Sequence, residues 1–301
     1  MQKFNLVSFQ HKFRTEKNCH EYLRKLKWPN GFRCPKCDHK DCFTITRKLP
    51  VYECKSCRHQ TTVLVGTVFE KTRTSLVKWF LAIYLIAHDK RGVSANHLAS
   101  QIGVSYPTAW LMLHKIRKAM GDRDAMYQLE GIVEIDDAFF GAPTEGGKRG
   151  RGTEKTKVII GLSLTPRGTP VNVKMQVVEN LQRQTIAKFA EQNIKERAII
   201  PTDLYRSYNV LSKRGYVHAP KEFNAKDNPD HLHWMHTLIS NAKAFVGGTF
   251  HGLDKKHLQA YLNEFCYRFN RRKFKDALFY RLLVCCAVSK TITYSALTDV
   301  P

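Results

Sequence analysis

The chain has 301 residues, with 49 Lys and Arg against 26 Asp and Glu, a formal charge of +23. Hydrophobic residues make up 43% and aromatics 11%, which excludes a chain too polar to build a core. The longest strictly apolar run, Phe80 to Ala87, is far too short to cross a bilayer.

Met1-Gln2-Lys3-Phe4 leads into mixed polar residues, not into a signal-peptide pattern. Nine cysteines, four of them in close pairs, argue against a secreted disulfide scaffold. A soluble, cytoplasmic protein with no membrane partner is expected. So large a positive excess points first to nucleic acid. Ribosome association, anionic lipid and simple solubility remain the blander readings.

Residues 15–27 are predicted to form a helix, broken by Trp28-Pro29-Asn30-Gly31. Residues 32–66 are short and strand-like, and they carry Cys34-Pro35-Lys36-Cys37 and Cys54-Lys55-Ser56-Cys57, sixteen residues apart. Each pair sets two thiolates on one knuckle, and two knuckles offer four sulfurs to one tetrahedral Zn²⁺. One closed, structural zinc ion is therefore expected on Cys34, Cys37, Cys54 and Cys57. His39 and Cys42 lie nearby as alternative ligands.

Residues 74–90 are predicted to be helical, with Leu76, Trp79, Phe80, Ile83 and Ala87 on one stripe. Helices over 94–101 and 105–120, parted by a turn at Gly103, fit a helix-turn-helix. Its second helix carries Tyr106, Thr108, Lys115, Arg117 and Lys118 as candidate DNA contacts. An ordinary helical hairpin with a solvated basic face is the alternative.

Beyond a linker at 120–130, strands are predicted at 131–139, 157–164, 171–178, 197–202 and 215–219, with a helix near 182–195. Segment 141–157 is Gly-rich and basic, a loop supplying Lys148, Arg149 and Arg151 as further DNA contacts. Within the apolar strand Ile132 to Phe140, Asp136 is costly to bury unless it binds a cation or is well hydrogen-bonded. A second apolar run, Ala198 to Thr202, ends at Asp203. If these strands are neighbours, the two carboxylates converge and suit Mg²⁺ or Mn²⁺ in phosphodiester chemistry. Alternation puts Glu134 on the face of Asp136 as a supporting group, and Asp137 on the other.

In this order the chain resembles the bacterial insertion-sequence transposases of the ISXO-like group. The matching stretches are WPNGFRCPKC (28–37), YECKSCRHQTTVLVGTVFE (52–70), VEIDDAFFG (133–141), GRGTEKTKVIIG (150–161), TDLYRSY (202–208), HTLISNAKAF (236–245), GTFHG (248–252) and YLNEFCYRFNRR (261–272). The resemblance implies a multidomain α+β and α/β chain, with a zinc ribbon, a helix-turn-helix and an RNase H-like mixed five-stranded sheet flanked by helices. Its domains would span 1–70, 71–125 and 126–301. It matches Asp136 and Asp203 to the first two catalytic, metal-binding positions and Asn241 to the third, with 37 residues between it and Asp203. Asp137 stands where many relatives carry Glu.

His236 and Lys243 flank the Asn position as candidate phosphate ligands. Glu264, Arg268 and Arg271 match a Glu–Arg–Arg pattern on one helical face, an ion-pair face or a phosphate contact. The implied activity is transposition. The protein would bind terminal inverted repeats, hydrolyse the phosphodiester at the element ends with two Mg²⁺ (or Mn²⁺), and join the 3′-hydroxyls to target DNA. It would work as a homodimer or a larger synaptic complex, associated with the nucleoid. The rivals are a DNA-binding regulator with an inert RNase H-like domain and a related nuclease.

Overall fold

The computed structural model describes residues 4–47, 49–141, 150–222 and 231–298. Backbone contacts divide the chain into two compact units. The first holds residues 1–120 and 274–301, the second residues 121–273. The ribbon and the helices after it form one unit. Residues 274–298 pack with that unit and not with the sheet domain.

In the first unit, α1 (Leu6–Lys12) and α2 (Glu16–Lys27) precede a three-stranded antiparallel sheet of β1 (Cys42–Ile45), β2 (Val51–Cys54) and β3 (Gln60–Thr61). Trp28, Phe32 and Tyr52 are buried there, Trp28 packing edge to face on the other two with its ring 4.9 Å from that of Tyr52. Then come α3 (Leu76–His88), α4 (Ala95–Ile102) and α5 (Tyr106–Asp124). Ser75 and Ser94 cap α3 and α4, their side chains accepting from the amides of Lys78 and His97. Gly103 ends α4 in the left-handed region at φ 62°, where only glycine carries no steric cost.

The second unit is built on a five-stranded sheet. It contains β4 (Ile132–Phe140), β5 (Thr156–Leu164), β6 (Pro170–Val178), β7 (Ile199–Thr202) and β8 (Val217–Pro220), ordered β6-β5-β4-β7-β8. The first three strands meander antiparallel, while β7 and β8 run parallel to β4. This is the RNase H-like order and polarity.

Helix α6 (Arg183–Asn193) covers one face, packing Ile186, Phe189 and Ala190 against Val133, Ile135 and Ile159. Helices α7 (His233–Thr249) and α8 (Leu258–Asn270) cover the other, packing Met235, Leu238, Ala242 and Leu262 against Ala138, Phe140, Val158 and Ile160. Burial on both sides explains the nearly unbroken apolar run of β5.

Strand β6 is an edge, and α8 closes it. Asn270 Oδ1 accepts from the Val173 amide at 2.7 Å, and Gln259 Oε1 accepts from the Val177 amide at 2.7 Å. An open row of backbone donors, which would otherwise invite strand addition, is thereby satisfied. Helices α9 (Leu278–Val288) and α10 (Ser295–Thr298) complete the chain. No described helix is long and apolar enough to cross a membrane.

Candidate active site

Strand register brings the two aspartates together. Ile132 pairs with Ile199 across the parallel β4–β7 contact. Four residues further along each strand lie Asp136 (132 + 4) and Asp203 (199 + 4), so the carboxylates stand level across neighbouring strands. One oxygen of each is tied locally. Asp136 Oδ1 accepts from the Asp137 amide at 2.8 Å, and Asp203 Oδ1 from the Tyr205 amide at 3.0 Å.

Burial disfavours charge here. It pushes the Asp136 carboxyl up to about 7, with the neighbouring Asp137 charge adding to the effect. Asp137 is likewise raised by burial, and Glu134, with an Oε2 that has no partner among the described residues, is pushed up to about 7. Glu134 does share a face with Asp136, but it lies beneath the surface.

A cation already reaches into this cluster. Arg151, on a one-turn 3₁₀ segment (Gly150–Gly152), donates from Nη2 to Asp137 Oδ1 at 2.7 Å and to Asp203 Oδ2 at 2.8 Å. Its guanidinium carbon lies 3.8 Å from the Tyr205 ring centroid. Burial by itself would lower its pKa, but the bonds to Asp203 and Asp137 raise it above the ordinary arginine value. Tyr208, fully buried, adds a 3.1 Å bond from its hydroxyl to Asp137 Oδ1. Asp137 thus belongs to a structural bridge on the α6 face, and Asp136 looks the other way, toward α7.

Helix α7 carries two candidates for the third position, and they face different ways. Its core stripe is Met235, Leu238, Ala242 and Phe245. One flank holds His236, whose Nε2 lies 3.8 Å from Asp136 Oδ2. The other flank holds Trp234, Thr237 and Asn241, which line a pocket of about 280 Å³ with Phe269 and Arg272 at the end of α8. Five residues separate His236 from Asn241, about 140° around a helix. Asn241 is therefore not beside Asp136, and His236 is. Burial, then the nearby His231 and His233, lower the His236 pKa, so its ring is neutral near pH 7. His231 and His218 also approach, bonding the carbonyl and hydroxyl of Thr202 at 3.2 Å and 2.8 Å.

In the ribbon, the sulfurs of Cys34, Cys37, Cys54 and Cys57 all lie within 4.8 Å of one another. Cys34–Cys57 and Cys37–Cys54 are each 3.6 Å apart. A tetrahedron with metal–sulfur bonds of about 2.3 Å has edges near 3.8 Å, so the four thiols fit one Zn²⁺. Both knuckles close alike: Asp38 and Arg58, four residues after Cys34 and Cys54, sit at φ 58° and 59° and donate their amides back to those cysteines. His39 and Cys42 stand outside the cluster.

These residues match two known domains. Residues 14–60 match the transposase zinc-ribbon domain, and residues 128–270 the ISXO2-like transposase domain. The "Uncharacterized protein in transposable element ISH50" of Halobacterium salinarum is 30% identical over 88% of this chain and 95% of its own length. The chain belongs to the ISXO2-like transposase family. An "Uncharacterized transposase-like protein" of Haemophilus influenzae is 28% identical over 34% of the transposase and 84% of its own length. Among solved structures, the chain of the Mos1 strand transfer complex is similar over 71% of the transposase and 78% of that chain, at 13% identity and a TM-score of 0.27.

The remaining candidates of the transposase divide by burial. Tyr106 and Lys118 are exposed on α5 and Thr108 is half-buried, bonded to Ser105 at 3.0 Å. Lys115 and Arg117 are buried, with side chains turned to the carbonyls of Val68 and Val93. The terminal arginines are also structural. Arg268 is paired with buried Glu264 at 3.0 Å. Arg271 bonds Asp124 Oδ1 at 2.7 Å and stacks 3.7 Å from the Tyr267 ring centroid. Both are nearly buried, which resolves the Glu–Arg–Arg pattern toward ion pairing. Lys243 is exposed on the His236 flank of α7. Lys148 and Arg149 lie outside the described residues.

Proposed function

We propose that this transposase cuts DNA at the ends of its element and joins the freed ends to target DNA at the site formed by Asp136, Asp203 and His236. The level placement of Asp136 and Asp203 across β4 and β7, with His236 beside Asp136, carries this reading. Asp136, Asp203 and the neutral His236 ring would hold divalent cations. Bound there, Mg²⁺ or Mn²⁺ lowers the pKa of an attacking water and offsets charge on the phosphorus oxygens. Two carboxylates and an imidazole carry one negative charge fewer than three carboxylates, and the nitrogen ligand favours Mn²⁺ over Mg²⁺.

In the first step, a water oxygen attacks the phosphorus and the P–O3′ bond breaks, leaving a 3′-hydroxyl on the element and a 5′-phosphate on the flank. That hydroxyl then attacks a target phosphorus and displaces the target's own O3′. Each step exchanges one P–O bond for another, so no side chain need form a covalent intermediate. Arg151, bonded to Asp203, and Lys243, two turns beyond His236 on the same flank of α7, would bind phosphates flanking the reacting one.

End recognition falls to the ribbon and to the exposed N-terminal part of α5, where Tyr106 and Thr108 would meet base edges and Lys118 a phosphate. Joining two ends requires two copies or more. Element-end duplexes incubated with Mn²⁺ test the reading. It expects a nick at the element border that Asp203→Ala abolishes without loss of DNA binding. Specific binding with no nicking under any divalent metal would refute it in favour of a regulator, and nicking without joining would favour a nuclease.

A further inference from the structure

The transposase has a second recess on the face that carries Asp136. Asp136, Ala138 and Phe140 alternate onto the α7 side of β4, and Phe140 sits about 13 Å beyond Asp136 at some 3.3 Å per residue. On α7, Lys243 follows His236 by seven residues, two turns or about 10 Å along the same flank. Between these ends lies a cavity of about 510 Å³. That is within the roughly 300–1,000 Å³ range of pockets that enclose a small organic ligand.

Its composition is specific. Phe140 and Phe250 are buried residues that still line the cavity. Lys155, Lys243 and Lys255 stand around it, and no carboxylate is among the described lining residues. Lys255 reaches across to the Glu154 carbonyl at 3.5 Å, next to Lys155. Gly247 lies on the wall with helical backbone, and a Cβ added there meets nothing within 4 Å. An aromatic cavity whose charged described lining residues are all lysines matches one flat π-face and its phosphate.

We propose that this cavity takes one nucleotide extruded from the DNA strand whose scissile phosphate lies over Asp136 and Asp203. The proposal rests on the reading of that acidic site. The base would stack on the aromatic lining, and the lysines would bind the phosphates that flank it. Holding the flanking nucleotide out of the helix bends the strand at the cut and presents the phosphorus to the carboxylates. The lysines select for nucleic acid of any sequence, and a base of any identity can stack.

The test uses the full-length protein and element-end duplexes carrying 2-aminopurine at successive positions around the cut, with Ca²⁺ present to allow binding without cleavage. The expected result is a severalfold rise in fluorescence at one position beside the scissile phosphate and little change elsewhere. Gly247→Phe fills the cavity from its wall and replaces a poor helix former, so its melting temperature should hold while the fluorescence rise is lost. Lys255→Glu, which changes only the rim, should reduce the rise as well. An abasic sugar at the responsive position should tighten binding to the wild-type protein and not to Gly247→Phe. The proposal is overturned if the protein cuts the duplex and no position brightens, or if folded Gly247→Phe keeps the full signal. Absence of both binding and cutting would overturn the reading of the acidic site, and this proposal with it.

Discussion

Replacing Arg151 by Ala isolates the electrostatics of the active site. Its guanidinium is bonded to Asp137, itself only 4% exposed, and to Asp203. At about 3 Å and an effective dielectric near 20, each contact amounts to about 5 kcal/mol of gross attraction, most of it offset by desolvation. Removing one partner of a buried pair costs about 3–5 kcal/mol, because the other charge stays behind. Arg151 is 36% exposed and Asp137 keeps its bond from Tyr208, so a loss of about 2 kcal/mol is expected.

A divalent ion held at 100 times its dissociation constant stabilises by about 2.7 kcal/mol, enough to restore the variant. Urea unfolding of the full chain, followed by circular dichroism in EDTA and in Mn²⁺, measures both terms. Arg151→Ala should be weaker than wild type in EDTA and should gain more from Mn²⁺. Calorimetric titration should also give tighter Mn²⁺ binding, since no internal cation competes. Equal stability in EDTA together with an equal Mn²⁺ increment in the two proteins would refute the reasoning.

His236→Ala should abolish Mn²⁺-dependent nicking, lowering it at least about 100-fold as the loss of a metal ligand does, while Asn241→Ala should nick within a fewfold of wild type; gel-based initial rates decide between them. Glu134 ionises less readily when folded, so the stability it contributes is full below pH 4.5 and is lost as pH rises through about 7. That amounts to roughly 3 kcal/mol, and urea midpoints in EDTA at pH 5 and pH 8 should differ less in Glu134→Gln than in wild type. Cys54→Ser should drop bound zinc below one ion per chain by elemental analysis and remove element-end binding, because the ribbon's fold depends on the tetrathiolate. Asn270→Ala should cost about 2–3 kcal/mol, since it strips partners from Val173 on the edge strand and from buried Asp124.

What could be read in advance follows the range of the interactions. The ribbon was legible because CxxC knuckles are local, and the sulfur positions follow from two four-residue turns. The convergence of Asp136 and Asp203 was legible because a carboxylate in or at the end of an apolar strand is expensive without a purpose. Which residue of α7 stands beside Asp136 was not. The family pattern pointed at Asn241, but which flank of α7 meets the aspartates depends on where the helix lies over the sheet. With α8 over β6 and α7 over β4, the flank of Trp234, Thr237 and Asn241 turns toward α8, and that of His236 and Lys243 toward the carboxylates.

The helical period of the core residues 235, 238 and 242 separates the two flanks without saying which is which. Lys115 and Arg117 were misread for a similar reason. Helix α5 is packed on most of its circumference, so charge on it does not mean exposure. Arg268 and Arg271 had their partners, Glu264 and Asp124, four and 147 residues away in sequence. Only the near one could be seen. The bridge from Arg151 to Asp137 and Asp203 closes over 14 and 52 residues, beyond any local pattern.

The central claim is that the Asp136, Asp203 and His236 cluster joins DNA. A pre-cut element end with a free 3′-hydroxyl, a labelled target duplex and the full-length protein in Mn²⁺ test it in one reaction. The account predicts a branched product that requires the 3′-hydroxyl and the metal, and that disappears with Asp203→Asn while end binding persists. Joining that proceeds in EDTA, or that survives Asp203→Asn, would contradict it.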